Sequence, residues 1–275
     1  MNKIKLVAFD LDGTLLTEKK EVSEKTMTSL EGLADKGICL MPTTGRPMSG
    51  IPKEVMNLRG VRYIISANGA RVFDKEKDAF IREELIPEAV CERVLNILLK
   101  YDCIKEIYYD GVGFVEEEEQ KKIKSYNMSP AIIQYFLDTR KPVKSIMGKF
   151  REEGRDLDKI QGLFNDLELR EKAVRELSEI KEIKMTAALE SNIEINLRSV
   201  NKGTILMDMV KMLGIEPEEV MTFGDGDNDV EMLEMAGIGI AMGNGVAVAK
   251  EAADYVTGTN EEEGVAEAIK KYFEE

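Results

Sequence analysis

The chain has 275 residues, of which 43% are hydrophobic, enough to build a packed core and to exclude wholesale disorder. It carries 38 Lys and Arg against 52 Asp and Glu, a net charge of -14. This excludes a general nucleic-acid or anionic-membrane binder, which would need a basic face. There is no histidine, so Ser-His and Cys-His nucleophile pairs and histidine-ligated zinc are ruled out, and acid-base work falls to carboxylates, lysines or tyrosines.

In chain order, residues 4–9 form a short apolar run that ends at Asp10. Ser23 can cap a helix over 24–36, closed by Gly37. A second apolar run, 38–41, leads into Pro42-Thr43-Thr44-Gly45, and a third, 63–65, leads into Ser66-Ala67-Asn68-Gly69. Later, Asn201 can cap a helix with Ile205, Leu206, Met209, Val210 and Leu213 on one face, closed by Gly214. Runs at 220–223 and 238–242 end in Gly224-Asp225 and Gly243-Asn244-Gly245. The runs lack strict alternation, which suits strands buried on both faces. Strands alternating with helices imply a parallel α/β sheet of Rossmann-like layout, with helices on both sides.

The stretch 84–195 reads differently. Helix-like segments lie near 87–100, 156–165 and 168–179, and strand-like pieces near 104–109, 143–150, 183–189 and 192–197. The segment IKEIYYDGVGFVEE reads as a hairpin turned at Asp110-Gly111. The simplest account is an α+β module over 84–195, inserted into a core built from 1–83 and 196–275. The acidic runs 116–119 and 261–263 read as solvated faces or helix starts. The fifteen methionines read as core filler.

The three cysteines, Cys39, Cys91 and Cys103, are odd in number and lack metal-ligand spacing. They are expected to be reduced and structural, in a cytoplasmic protein. The opening MNKIKLVAFDLDG reaches two aspartates too early for a signal peptide. No stretch approaches the roughly 18 apolar residues of a membrane span.

In an open parallel sheet, ligands bind beyond the carboxyl ends of the strands. Asp10, Asp12, Thr44, Asn68 and Asp225 all fall at that edge. In Asp10-Leu11-Asp12-Gly13-Thr14 two carboxylates stand two residues apart at a strand end. One can act as nucleophile and form an acyl phosphate. The other can protonate a leaving oxygen and later activate water. Gly224-Asp225-Gly226-Asp227-Asn228-Asp229 holds three aspartates in five residues. They repel one another unless a cation or a helix N-terminus compensates. Capping the helix that follows needs one aspartate, so a site for a hard cation is the reading preferred here. An EF-hand is excluded by Val230 and Ala236, where glycine and a bidentate glutamate are required. Gly243-x-Gly245 lacks the third glycine of a dinucleotide fingerprint.

Thr44-Gly45-Arg46 follows a buried strand, where a hydroxyl and backbone N–H groups can bind a phosphoryl oxygen. By itself this reading stands level with that of an ordinary loop. Lys202 sits in the first turn of a helix, where a cation opposes the macrodipole. A bound anion would resolve that conflict, although in isolation a solvent-facing lysine would be the simpler reading.

Taken in order, these four elements resemble the haloacid-dehalogenase superfamily, and 84–195 resembles the inserted α/β cap of its Cof-like branch, subclass IIB (C2B type). The resemblance covers essentially the whole chain. It implies that Asp10 is the nucleophile, Asp12 the general acid and base, and that Thr44 and Lys202 hold the phosphoryl group. It implies Mg²⁺ bound by the Asp10 carboxylate, the Asp12 backbone carbonyl and Asp225, with Asn228 and Asp229 completing or supporting the site. Gly45, Arg46, Asn68 and Asn228 would line the substrate pocket. One departure is the run Arg198-Ser199-Val200-Asn201, where many relatives have glycine or proline shortly before the motif lysine. The expected activity is Mg²⁺-dependent hydrolysis of a small phosphorylated metabolite such as a sugar phosphate. A phosphosugar mutase and a non-catalytic phosphometabolite-binding regulator are the alternatives. A P-type ATPase core would carry threonine in place of Asp12. The expected partner is the small metabolite alone, with neither nucleic acid nor membrane, in a monomer or small homo-oligomer.

Overall fold

The computed structural model describes residues 4–187 and 190–273. Along the chain the elements are β1 (Leu6–Phe9), α1 (Glu24–Asp35), β2 (Cys39–Pro42), α2 (Lys53–Asn57), β3 (Tyr63–Ser66), β4 (Arg71–Asp74), β5 (Ala79–Glu83) and α3 (Glu88–Leu98). There follow β6 (Ile104–Tyr109), β7 (Val112–Glu116), α4 (Glu117–Lys122), α5 (Pro130–Thr139), β8 (Arg140–Val143), α6 (Ile146–Glu153), β9 (Lys159–Leu163), α7 (Leu167–Leu177), β10 (Ile183–Thr186) and β11 (Asn192–Leu197). The last are α8 (Lys202–Met212), β12 (Val220–Gly224), α9 (Val230–Met235), β13 (Ile238–Ala241), α10 (Ala247–Ala252), β14 (Tyr255–Val256) and α11 (Gly264–Phe273).

These elements fall into two compact units. The first comprises Met1–Gly45, Ile51–Arg82 and Asn201–Glu275, and the second comprises Arg46–Gly50 and Glu83–Val200. The first unit holds a five-stranded parallel sheet in the order β14-β13-β12-β1-β2. The α/β reading of the sequence therefore holds. All four residues of β1 are fully buried, as expected for a central strand covered on both faces. Register places Phe9 beside both Phe223 and Pro42, so β1, β2 and β12 end at one edge. A separate three-stranded sheet runs β3-β4-β5. Here β3 pairs antiparallel with β4, while isolated parallel bridges join Val61 to Leu40 and Ile65 to Thr43.

The second unit is built on a six-stranded sheet in the order β10-β11-β9-β6-β7-β8. Ile107, Ile160, Ile193 and Ile195 pack with α3 and α7 residues such as Val94, Leu98, Ala173 and Leu177. The β6–β7 hairpin turns at Asp110 and Gly111, with φ of 51° and 72°, the left-handed pair that a two-residue turn of this hand requires.

Two local expectations are corrected. Residues 156–165, read as helical, contain β9, a buried strand paired on both sides by β6 and β11. Leu157, Ile160 and Phe164 mimic a helical face by spacing, and strand pairing overrides that pattern. Residues 143–150, read as strand-like, lead into α6. Ser145 caps this helix by accepting from the Gly148 N–H, and buried Ile146 and Phe150 stand one turn apart on one face. Of the expected strand 183–189, β10 covers the first four residues, and 188 and 189 lie outside the described residues.

Candidate active site

Asp10 is the first residue beyond β1 and only 5% exposed. Its backbone N–H donates to the Phe223 carbonyl at 3.0 Å, binding the ends of β1 and β12 together. Asp225 is the first residue beyond β12. Two adjacent parallel strands thus deliver two carboxylates to one sheet edge.

Lys202 begins α8, whose N-cap Asn201 accepts from the Thr204 N–H. The lysine is completely buried. Its ammonium donates to Asp10 Oδ1 at 2.7 Å and to Asp229 Oδ1 at 2.6 Å. The conflict with the helix macrodipole is met by these two carboxylates. Burial opposes the lysine's charge, but the adjacent Asp10 and Asp229 outweigh it and raise the pKa above the ordinary value.

Asp229 uses its second oxygen as a staple: Oδ2 accepts from the backbone N–H groups of Asp225 and Gly226, both at 2.9 Å. The three aspartates of the 225–229 loop therefore separate. Asp225 and Asp229 turn inward, while Asp227 is exposed. Asp10, Asp225 and Asp229 each offer a carboxylate oxygen, and these oxygens lie within 4.8 Å of one another. Burial pushes the Asp10 carboxyl above the carboxylate range, with Lys202 opposing and Asp229 adding to the rise. Burial, then Asp229 and Asp10, raise Asp225 in the same direction. A cluster that resists ionisation in this way is what a hard cation relieves. Its donors are all oxygen, which fits Mg²⁺ or a similar ion.

Thr14 donates its hydroxyl to Asp225 Oδ1 at 2.7 Å, a contact that the sequence reading missed. Its only sequence signal is its place after Gly13. Gly13 has φ of +83°, and a Cβ there would lie 2.3 Å from Asp225 Oδ2, so both backbone conformation and space demand glycine. The Asp12 carboxylate is not one of the clustered three. Lys20 donates to its Oδ1 at 2.7 Å, a second contact that the sequence reading missed.

Thr44 lies beyond β2 and is almost fully buried. Its N–H donates to the Ile65 carbonyl at 2.9 Å, and its carbonyl accepts from the Asn68 N–H at 3.0 Å. Asn68 takes a left-handed backbone, φ 59°, and its Oδ1 accepts from Asn228 Nδ2 at 3.0 Å. Thus Asn68 and Asn228, 160 positions apart, are direct partners. Gly45 is the last residue of its segment of the first unit. Arg46 belongs to the second unit. There its guanidinium lies 4.3 Å from the Tyr135 ring centroid and donates to the Gly50 carbonyl at 2.8 Å.

Comparison with known proteins agrees with this fold. The family model for haloacid dehalogenase-like hydrolases matches residues 7–269. Two proteins of Bacillus subtilis, both 5-amino-6-(5-phospho-D-ribitylamino)uracil phosphatases, are similar over nearly their whole length. One is 33% identical, covering 98% of this chain and 97% of the relative. The other is 30% identical, covering 98% and 96%. A haloacid dehalogenase-like hydrolase from B. subtilis superposes with a TM-score of 0.88 at 29% identity, covering 98% of this chain and all of the other. A subclass IIB sugar phosphatase superposes with a TM-score of 0.84 at 25% identity, covering 98% of both chains.

Proposed function

Since the chain belongs to the haloacid dehalogenase-like hydrolases and is a phosphatase, we propose that it hydrolyses a small phosphomonoester through an aspartyl-phosphate on Asp10, with Mg²⁺ as cofactor. The observation that carries this reading is the convergence of Asp10, Asp225, Asp229 and Lys202 at the carboxyl ends of β1 and β12.

Asp10 is the nucleophile. One of its oxygens attacks phosphorus as the ester oxygen leaves. Asp12 gives a proton to that leaving oxygen, so the alcohol departs neutral and Asp12 is left ionised. In the second step Asp12 takes a proton from water, whose oxygen attacks phosphorus, and the Asp10 carboxylate is regenerated. Lys202 opposes the rise that burial imposes on the Asp10 carboxyl and orients it, and with Thr44 it balances charge on the equatorial phosphoryl oxygens. Asp10, Asp225 and Asp229, with the Asp12 carbonyl, would hold the cation. When bound, it would screen the carboxylates from an anionic substrate and polarise a phosphoryl oxygen. Thr14 and Asp229 orient the ligand loop. Gly45, Arg46, Asn68 and Asn228 are assigned to the substrate side of the site.

These groups address the phosphoryl group, which every phosphoester shares. Selection among leaving groups is assigned to the inserted second unit, acting as a cap. The names of the two B. subtilis relatives make ribityl phosphates, alongside sugar phosphates, the first compounds to try. A screen of phosphorylated metabolites for Mg²⁺-dependent phosphate release tests the proposal. Release that is lost in Asp10→Asn supports it, and full release by that variant refutes it.

A further inference from the structure

We infer that Lys20 is a positioning residue for the Asp12 carboxylate, holding it ready for the leaving oxygen and away from the metal-binding carboxylates. The inference rests on the reading of Asp12 as acid and base given above. It starts from the 2.7 Å contact between Lys20 Nζ and Asp12 Oδ1.

The loop that presents Lys20 is built for a fixed direction. The Thr17 N–H and hydroxyl both donate to the Glu21 carbonyl, at 2.9 and 3.1 Å, and the Lys20 N–H donates to the Thr17 carbonyl at 2.8 Å. The loop is also tied to its surroundings in the first unit. Asn260 Nδ2 donates to the Leu16 carbonyl at 2.8 Å, the Glu18 N–H to Glu261 Oε1 at 2.6 Å, and the Val22 N–H to Glu54 Oε1 at 3.0 Å. Within this frame Lys20 takes φ of +65°, a left-handed conformation that glycine or asparagine adopts more readily. A lysine pointing into solvent gains nothing from that backbone. A lysine aimed at a catalytic carboxylate gains direction, and strain of this kind gathers at functional sites.

The ion pair keeps 22% exposure on the lysine side and 34% on the aspartate side. Pairs this accessible to water add little to stability, so the consequence of this contact is orientation. It also answers a geometric need. The other acidic side chains at this edge, Asp10, Asp225 and Asp229, draw together as a ligand set. A cation bound among them would attract the Asp12 carboxylate too. Lys20 gives that carboxylate a competing partner and reserves it for the substrate.

The test compares Lys20→Gly, Lys20→Met and Asp12→Asn on phenyl phosphate and p-nitrophenyl phosphate under Mg²⁺ in single turnover, following release of the phenol, since hydrolysis of the shared intermediate also needs Asp12. Glycine suits the left-handed backbone, so Lys20→Gly should melt no lower than the parent. Its KM should be unchanged, and its Mg²⁺ activation constant should not rise, because the released Asp12 carboxylate can only add to the cation's attraction. Its single-turnover rate of phenol release from phenyl phosphate should fall about ten- to hundredfold, the scale of a misplaced catalytic group. The p-nitrophenyl ester, whose leaving group needs little protonation, should lose much less. Lys20→Met should show the same split, and added ethylammonium should restore part of the Lys20→Gly rate. If Asp12→Asn shows the leaving-group split and neither Lys20 variant does, the inference fails and the role of Asp12 stands. If Asp12→Asn slows the transfer step equally for both esters, the reading of Asp12 fails and the inference falls with it.

Discussion

Lys202 and Asp10, 192 positions apart, meet at 2.7 Å, the lysine fully buried and the aspartate nearly so. Asp229 completes a triad around the same ammonium. This contact couples the N-terminal strand to the C-terminal half of the sheet and fixes the carboxylate proposed to attack phosphorus.

Replacing the lysine should therefore injure catalysis and fold together. Lys202→Met leaves Asp10 and Asp229 without their shared cation. Unpairing a buried ion pair costs about 3–5 kcal/mol, visible as a lowered unfolding midpoint. Phosphate release should fall by about 10²–10³-fold, as for loss of one preorganised electrostatic contact. A variant that melts like the parent and turns over at near its rate would contradict the assignment.

The Thr14 hydroxyl should matter through the metal. Thr14→Val removes the 2.7 Å hydrogen bond to Asp225 with little change in volume. Outer-shell contacts of this type are worth about 10–100-fold in metal affinity. The Mg²⁺ activation constant should rise by that factor while Thr14→Ser stays near the parent. An unchanged activation constant in the valine variant would remove Thr14 from the ligand loop.

Gly13→Ala tests space and backbone at once. The new methyl would need φ of +83° and would meet Asp225 Oδ2 at 2.3 Å. The left-handed backbone alone costs about 1–2 kcal/mol. Loss of Mg²⁺ affinity should exceed what that destabilisation explains. Parent-like Mg²⁺ dependence in a folded variant would show that Asp225 has room to move.

Cys91 and Cys103 are buried and should be silent until the chain opens, and half-buried Cys39 should be slow. Burial pushes Cys91 up to about 12 and Cys39 and Cys103 up to about 11. The folded state therefore holds these protons more tightly than the unfolded state, whose thiols titrate near 9.0. The stability this contributes is present below pH 9 and is lost as pH rises from there toward 11–12. At pH 8 a thiol-reactive dye should label all three cysteines of the denatured chain, while in the native chain Cys91 and Cys103 stay nearly untouched and the half-buried Cys39 reacts slowly. Rapid native labelling of Cys91 or Cys103 would contradict the burial.

Much of this was legible in the sequence because strand ends announce themselves. The apolar runs before Asp10 and Asp225 have no other use, and a parallel sheet brings such ends to one edge. Ser23 and Asn201 could be read as caps because each precedes a periodic apolar face. Strand β9 and helix α6 were misread because over eight to ten residues the spacing of buried positions does not separate helix from strand. Lys20, Thr14 and the partnership of Asn68 with Asn228 left no periodic trace. Each depends on loop torsions, such as φ of +65° at Lys20 and 59° at Asn68, which residue type alone does not dictate. Arg46 could be read as a site residue from its place after Thr44-Gly45, but its seat on Tyr135, 89 positions away, could not.

The central claim is a covalent phosphoryl group on Asp10, and the most direct measurement uses Asp12→Asn with p-nitrophenyl phosphate and Mg²⁺. That ester needs little help to leave, so the first step should proceed. Hydrolysis of the intermediate lacks its base and should stall. Intact-mass analysis of quenched samples should find one added phosphoryl group per chain, labile to hydroxylamine and mapped to the peptide carrying Asp10. Release of both nitrophenol and phosphate with no adduct at any time, or an adduct on another residue, would contradict the account.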